Sequence, residues 1–168
     1  MNARMNARTL REQPSVKADE ASVKLEIVGS QTQGEPNAVS QPTEAADFFI
    51  ERNGVRFAGS HLIVDLYGAQ RLDELEFIED TLRKCVEVAG ATLLHIHLHP
   101  FEPNGGVSGV AVLAESHISI HSWPERGYAA LDIFMCGKAR PQRCIEVLLS
   151  AFSPQRVLIE ENLRGRDA

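Results

Sequence analysis

No apolar run in this chain approaches the roughly 18 to 20 residues that a membrane-spanning helix requires. The opening stretch, MNARMNARTLREQPSVKADE, lacks the apolar core of a secretory signal. Its acids at Glu12, Asp19 and Glu20 argue against an organelle transit peptide. Positive charge is in deficit: 17 Lys and Arg stand against 23 Asp and Glu, a net charge of -6. That balance disfavours nonspecific binding to nucleic acid or anionic lipid, both of which need a basic face. Cysteine is sparse. Cys85, Cys136 and Cys144 are an odd count without CxxC or Cys/His metal spacing. They read as reduced thiols of a cytoplasmic protein. Aromatic residues are absent before Phe48.

That last absence sets the domain organisation. Residues 1–48 are rich in Ser, Gln, Glu, Pro and Asn and bury too little apolar surface to offset their ordering entropy. They are expected to form a flexible tail, within which VKLEIV (23–28) alternates like an edge strand or a partner contact. MNAR occurs twice, at 1–4 and 5–8, too briefly to indicate a repeat architecture. The remaining 49–168 form one domain, rich enough in apolar residues for a real core.

The compact part reads as strand HLIVDLYG (61–68), amphipathic helix 72–90, and strand TLLHIHLHPF (92–101). A loop follows at 102–109, then a strand-like run at 110–123, and a strand at 130–137. A second amphipathic helix at 141–152 and a last strand at 156–163 complete the pattern. Strands that follow one another directly pair antiparallel. The expected fold is therefore α+β, an antiparallel sheet covered on one face by two helices. Its other face needs burial, which a dimer stacking two sheets supplies.

Several side chains invite a chemical reading. His95, His97 and His99 share one face of one strand. Same-face neighbours lie roughly 6.5 to 7 Å apart, too far to chelate a metal without other strands, so no metal site is assigned. The stretch 105–137 places Glu115, Ser116, His117, Ser119, His121, Ser122, Glu125, Asp132 and Cys136 among residues that read as buried strand. Each buried polar group needs a partner, and such local inconsistency marks a site. GVSGV around Ser108 is not the GxSxG of a nucleophile elbow. Cys136 beside a histidine could form a thiol nucleophile, but spacing alone does not place that base.

Taken together, GVSGVAVLAESHISIHSWPERGYAALDIFMCG (106–137) resembles the signature of the small prokaryotic form of S-adenosylmethionine decarboxylase. The resemblance spans about residues 58–166. It implies a proenzyme that cuts itself between Glu115 and Ser116 into a β chain (1–115) and an α chain (116–168). Ser116 becomes a covalent pyruvoyl group, which forms a Schiff base with the substrate amine and replaces pyridoxal phosphate as electron sink. The resemblance further makes His121 the base of the processing elimination and Ser108 a support for processing. It makes Cys136 the proton donor to Cα, Phe101 a stacking platform for adenine, and Glu125 an acceptor for the ribose hydroxyls. The implied activity converts S-adenosylmethionine to S-adenosyl 3-(methylthio)propylamine for spermidine synthesis, in a homodimer of αβ units.

Two departures from the family pattern stand out. Gly105-Gly106 replaces a single Gly, so the extra residue is expected to shift the Phe101 ring or form a bulge. Gly59-Ser60-His61 replaces Gly-Arg-His and so lacks a positive charge. Both leave processing intact and bear on substrate identity. Competing readings are a pyruvoyl-dependent decarboxylase of arginine or ornithine, and an unprocessed paralogue that activates a partner subunit.

Overall fold

The computed structural model describes residues 24–29 and 49–166. The expected flexible tail, apart from 24–29, lies outside the described residues. Nine strands and two helices follow in the order β1 (Lys24–Gly29), β2 (Ile50–Arg52), β3 (Val55–Phe57), β4 (Gly59–Tyr67), α1 (Leu75–Ala89), β5 (Leu93–Pro100), β6 (Val107–Leu113), β7 (Ser116–Trp123), β8 (Tyr128–Cys136), α2 (Arg143–Phe152) and β9 (Arg156–Arg164). The main sheet has the order β1-β9-β4-β8-β7-β6-β5, and β2 and β3 form a separate hairpin. Every pairing among β4 to β9 is antiparallel. At the edge, β1 runs parallel to β9, so part of the expected tail is an edge strand.

The helices form because their apolar residues recur at three and four. On α1 these are Ile78, Leu82, Cys85, Val86 and Ala89, all buried, and on α2 Cys144, Leu148 and Phe152. Both pack on one sheet face against Leu62, Val64 and Leu66 of β4, Ile118 and Ile120 of β7, and Leu131 and Ile133 of β8. Each such Leu or Ile contributes roughly 1.5–3 kcal/mol by leaving water. The expected start of α1 at Leu72 is corrected to Leu75. Leu72 is buried, but its carbonyl accepts the Ser122 hydroxyl at 2.7 Å instead of continuing a helical ladder. Gly90, at φ 74°, ends α1 with its N–H turned back to the Glu87 and Val86 carbonyls.

Two further expectations are corrected. The run 110–123 is two strands, joined by Ala114 and Glu115 alone. Leu113 and Ile118 are both buried yet five residues apart, and one straight strand would send them to opposite faces. Secondly, the loop read over 102–109 ends earlier, because Val107 already pairs with Pro100 and Ser108 with His99. The extra glycine is absorbed within that loop. Phe101 N–H donates to the Gly106 carbonyl at 2.7 Å, and Gly105 N–H to the Phe101 carbonyl at 2.8 Å. No bulge forms there; the register irregularity between β5 and β6 lies at Leu93/His95. Here β6 approaches β5 so closely that a Cβ at Gly109 would run into the His97 carbonyl oxygen.

The face opposite the helices carries the alternate residues. Cross-strand register aligns His61 with Phe134 and His117, and Ser108 with His121 and His99. All six histidines of the chain fall on this face.

Candidate active site

Glu115 and Ser116 sit at the β6–β7 turn, and the backbone there is strained. Glu115 has φ 65°, a left-handed conformation usually given to Gly or Asn at the second position of a tight turn. For a residue with a Cβ this costs on the order of 1–2 kcal/mol. The turn is anchored by Ala114 N–H donating to the Thr92 carbonyl at 2.9 Å. On its other side, the Cys136 N–H donates to Ser116 Oγ at 3.1 Å. The predicted scissile bond therefore lies in a strained turn, with its hydroxyl held by a fixed backbone donor.

Ser116 and Cys136 open into one cavity of about 460 Å³, whose wall includes Glu115, Phe49, Ile50 and Lys138. Burial, followed by the nearby Glu115 charge, pushes the Cys136 thiol up from its ordinary value. It is thus held as a protonated thiol, the state a proton donor needs. On the strands beside it, Ser119 Oγ donates to Asp132 Oδ2 at 3.1 Å, and Asp132 Oδ1 meets His61 Nε2 at 3.2 Å. Arg164 Nη1 lies 3.2 Å from His61 Nδ1. The guanidinium can only donate, so Nδ1 accepts and Nε2–H faces the carboxylate. His117 packs on Phe134 with ring centroids 5.7 Å apart. Burial and then His61 lower its pKa.

The other expected site residues gather elsewhere. Ser108 Oγ is 2.8 Å from His121 Nδ1, a direct cross-strand pair. Phe101 is 49% exposed, with its ring against His99 at 4.8 Å. Glu125 lies in the single turn Pro124–Arg126, just after β7. Five residues separate Ser116 from His121 on β7, about 17 Å at a strand rise of roughly 3.3 Å. One chain therefore carries two candidate half-sites: Glu115, Ser116 and Cys136 at one end of β7, and Ser108, His121, Phe101 and Glu125 toward the other.

The sequence reading missed three features near these half-sites. One is the Ser119–Asp132–His61–Arg164 chain, legible only once β4, β7, β8 and β9 are in register. Another is an aromatic ladder in which Trp123 stacks on Tyr128 at 5.2 Å, Tyr128 meets Tyr67 at 5.3 Å, and Arg156 lies over Tyr67 at 3.7 Å. Burial, with the Asp65 carboxylate accepting its hydroxyl at 2.6 Å, pushes the Tyr128 pKa up to about 12. The third is the β2–β3 hairpin against the cavity. Among the described residues, no three His, Cys, Asp or Glu side chains converge as a metal site. No helix among them is long and apolar enough to cross a membrane.

The arrangement puts the candidate residues at and beyond a hairpin turn of the sheet, and comparison with known proteins identifies the class. The S-adenosylmethionine decarboxylase family model matches residues 60–165, and the chain belongs to that family of enzymes. The S-adenosylmethionine decarboxylase proenzyme of Thermomicrobium roseum is 47% identical over 108 residues, covering 64% of this chain and 93% of the relative. That of Methanococcus maripaludis is 44% identical over 110 residues, covering 64% and 89%. The crystal structure of the adenosylmethionine decarboxylase from Aquifex aeolicus superposes with a TM-score of 0.58 at 35% identity, covering 65% of this chain and 92% of that one.

Proposed function

We propose that this protein decarboxylates S-adenosyl-L-methionine to S-adenosyl 3-(methylthio)propylamine, the aminopropyl donor for spermidine, after cutting itself between Glu115 and Ser116. The observation that carries the reading is the strained Glu115–Ser116 turn opening onto the same cavity as the Cys136 thiol. The names of the relatives favour this substrate over a basic amino acid, and an enzyme over a non-catalytic paralogue.

The residues present fit a pyruvoyl group made from Ser116. Its hydroxyl attacks the Glu115 carbonyl carbon, and the acyl group moves from nitrogen to oxygen. Loss of the left-handed turn conformation favours this step. β-Elimination then releases the Glu115 carboxylate and leaves dehydroalanine, which water hydrolyses to ammonia and a ketone. His121 takes the α-proton in the elimination, and Ser108, hydrogen-bonded to its Nδ1, holds the ring. The pyruvoyl ketone supplies the electron sink that an α-amino acid decarboxylation needs. Cys136, kept protonated by burial, then delivers a proton to the substrate Cα. Phe101 offers an exposed flat face for adenine, and Glu125 a carboxylate for the ribose hydroxyls.

The separation of the half-sites gives the dimer a chemical role. Two copies stacked by their open faces, related by a two-fold axis, place His121, Ser108, Phe101 and Glu125 of one beside Ser116 and Cys136 of the other. The chain then works as a β chain, 1–115, and an α chain, 116–168. Its three free thiols, Cys85, Cys136 and Cys144, fit a reducing cytoplasm. Replacing Ser116→Ala tests the reading: the expected product is one uncleaved, inactive chain, and cleavage at 115/116 in that variant refutes the mechanism.

A further inference from the structure

The β2–β3 hairpin lies before residue 60, where the family match begins. It nevertheless reaches the cavity of Ser116 and Cys136, which Phe49 and Ile50 help to line. What holds it there is a knot around one carboxylate. Glu161 Oε1 of β9 accepts Arg52 Nη2 at 2.9 Å, Ser60 Oγ at 2.6 Å and Gln142 Nε2 at 2.8 Å. Burial opposes ionisation of Glu161, but the donors and the Arg52 charge outweigh it and hold its pKa below the ordinary value. The Arg52 guanidinium also lies 5.4 Å from the Phe57 ring centroid, and Phe57 is fully buried. The cation beside Ser60 comes from Arg52, on the hairpin itself.

We propose that Arg52 is a positioning residue: by latching the hairpin to Glu161 it keeps Phe49 and Ile50 over Cys136 as a wall that excludes water from the proton donor. The proposal rests on the decarboxylase reading for its catalytic consequence, though not for the wall itself. Water admitted beside Cys136 competes to deliver the proton and delivers it without regard to position. Protonation on the pyruvoyl-derived carbon instead of Cα would move the imine to the substrate carbon; water would then release the substrate as an aldehyde, leave an amine in place of the ketone and end turnover. A loosened wall should therefore shorten the working life of each site.

Two readouts separate the wall from the reaction. Cys85 and Cys144 are fully buried, so Cys136 is the thiol open to iodoacetamide. Loss of a partly exposed ion pair raises an open population severalfold, so Arg52→Gln should speed Cys136 alkylation about three- to fivefold. It should lower the number of turnovers per inactivation by a similar factor, and Arg52→Lys should restore much of both. Phe49→Ala, which leaves the latch intact, should raise alkylation as well. Unchanged alkylation in both Arg52→Gln and Phe49→Ala overturns the wall. A faster alkylation with unchanged turnovers per inactivation overturns the water-excluding role. Because alkylation can be read on the uncleaved Ser116→Ala chain, failure of the decarboxylase reading would leave the test of the wall standing.

Discussion

Co-expressing two inactive variants, Ser116→Ala and His121→Ala, should restore cleavage that neither shows alone. Ser116 and His121 stand five residues apart on β7, about 17 Å along the strand. No rotamer of either side chain closes that gap within one chain. In a two-fold dimer each site takes Ser116 from one copy and His121 from the other. A mixed dimer then holds one intact site and one lacking both groups. Random pairing of equal amounts makes half of all dimers mixed, so about half of the Ser116-bearing chains should be cut. The variants, given tags of different mass, are separated by intact-mass spectrometry of the co-purified protein. Absence of any cut chain in a mixture that does form dimers would refute the shared site. Full cleavage of His121→Ala on its own would show that His121 is idle.

Cys136→Ala should permit cleavage and lower kcat strongly; a parental kcat would exclude Cys136 as the proton donor. A raised thiol pKa keeps the acid form present to higher pH, so the basic limb of kcat should lie above the ordinary thiol value of 9.0, and a pH profile falling below 9 contradicts this. Ile120→Ala, at a fully buried position, should cost about 2–5 kcal/mol, read as a lower urea midpoint in the uncleaved Ser116→Ala background. Glu161 is depressed below its ordinary value of 4.5. It therefore contributes stability that is fully present above about pH 4.5 and is lost as pH falls through the lower folded-state value. Glu161→Gln should flatten that part of the stability profile, and an unchanged profile would show that the knot carries no linkage.

The parts of the fold set by periodicity were legible in the sequence. Both helices and the strands β4, β5, β8 and β9 declare themselves by spacings of three and four or of two. The turn at Ala114–Glu115 was missed because Ala and Glu are not turn residues; the left-handed Glu115 violates local preference. The buried positions do change from odd numbers at Ala111 and Leu113 to even at Ile118 and Ile120, but the unbroken apolar run 110–114 hides that change in the sequence. The candidate residues were found by motif, but their division between two ends of β7 follows from strand rise and pairing, which a motif does not express. The Arg52–Glu161 latch was invisible because its partners lie more than a hundred residues apart.

The central claim, that this chain makes its own carbonyl group at Ser116, is tested most directly by the intact mass of the purified wild-type protein. The account predicts two masses, one for residues ending at Glu115 and one for 116–168 beginning with a pyruvoyl group in place of serine. A single full-length mass, or an α chain that begins with unmodified serine, would contradict it.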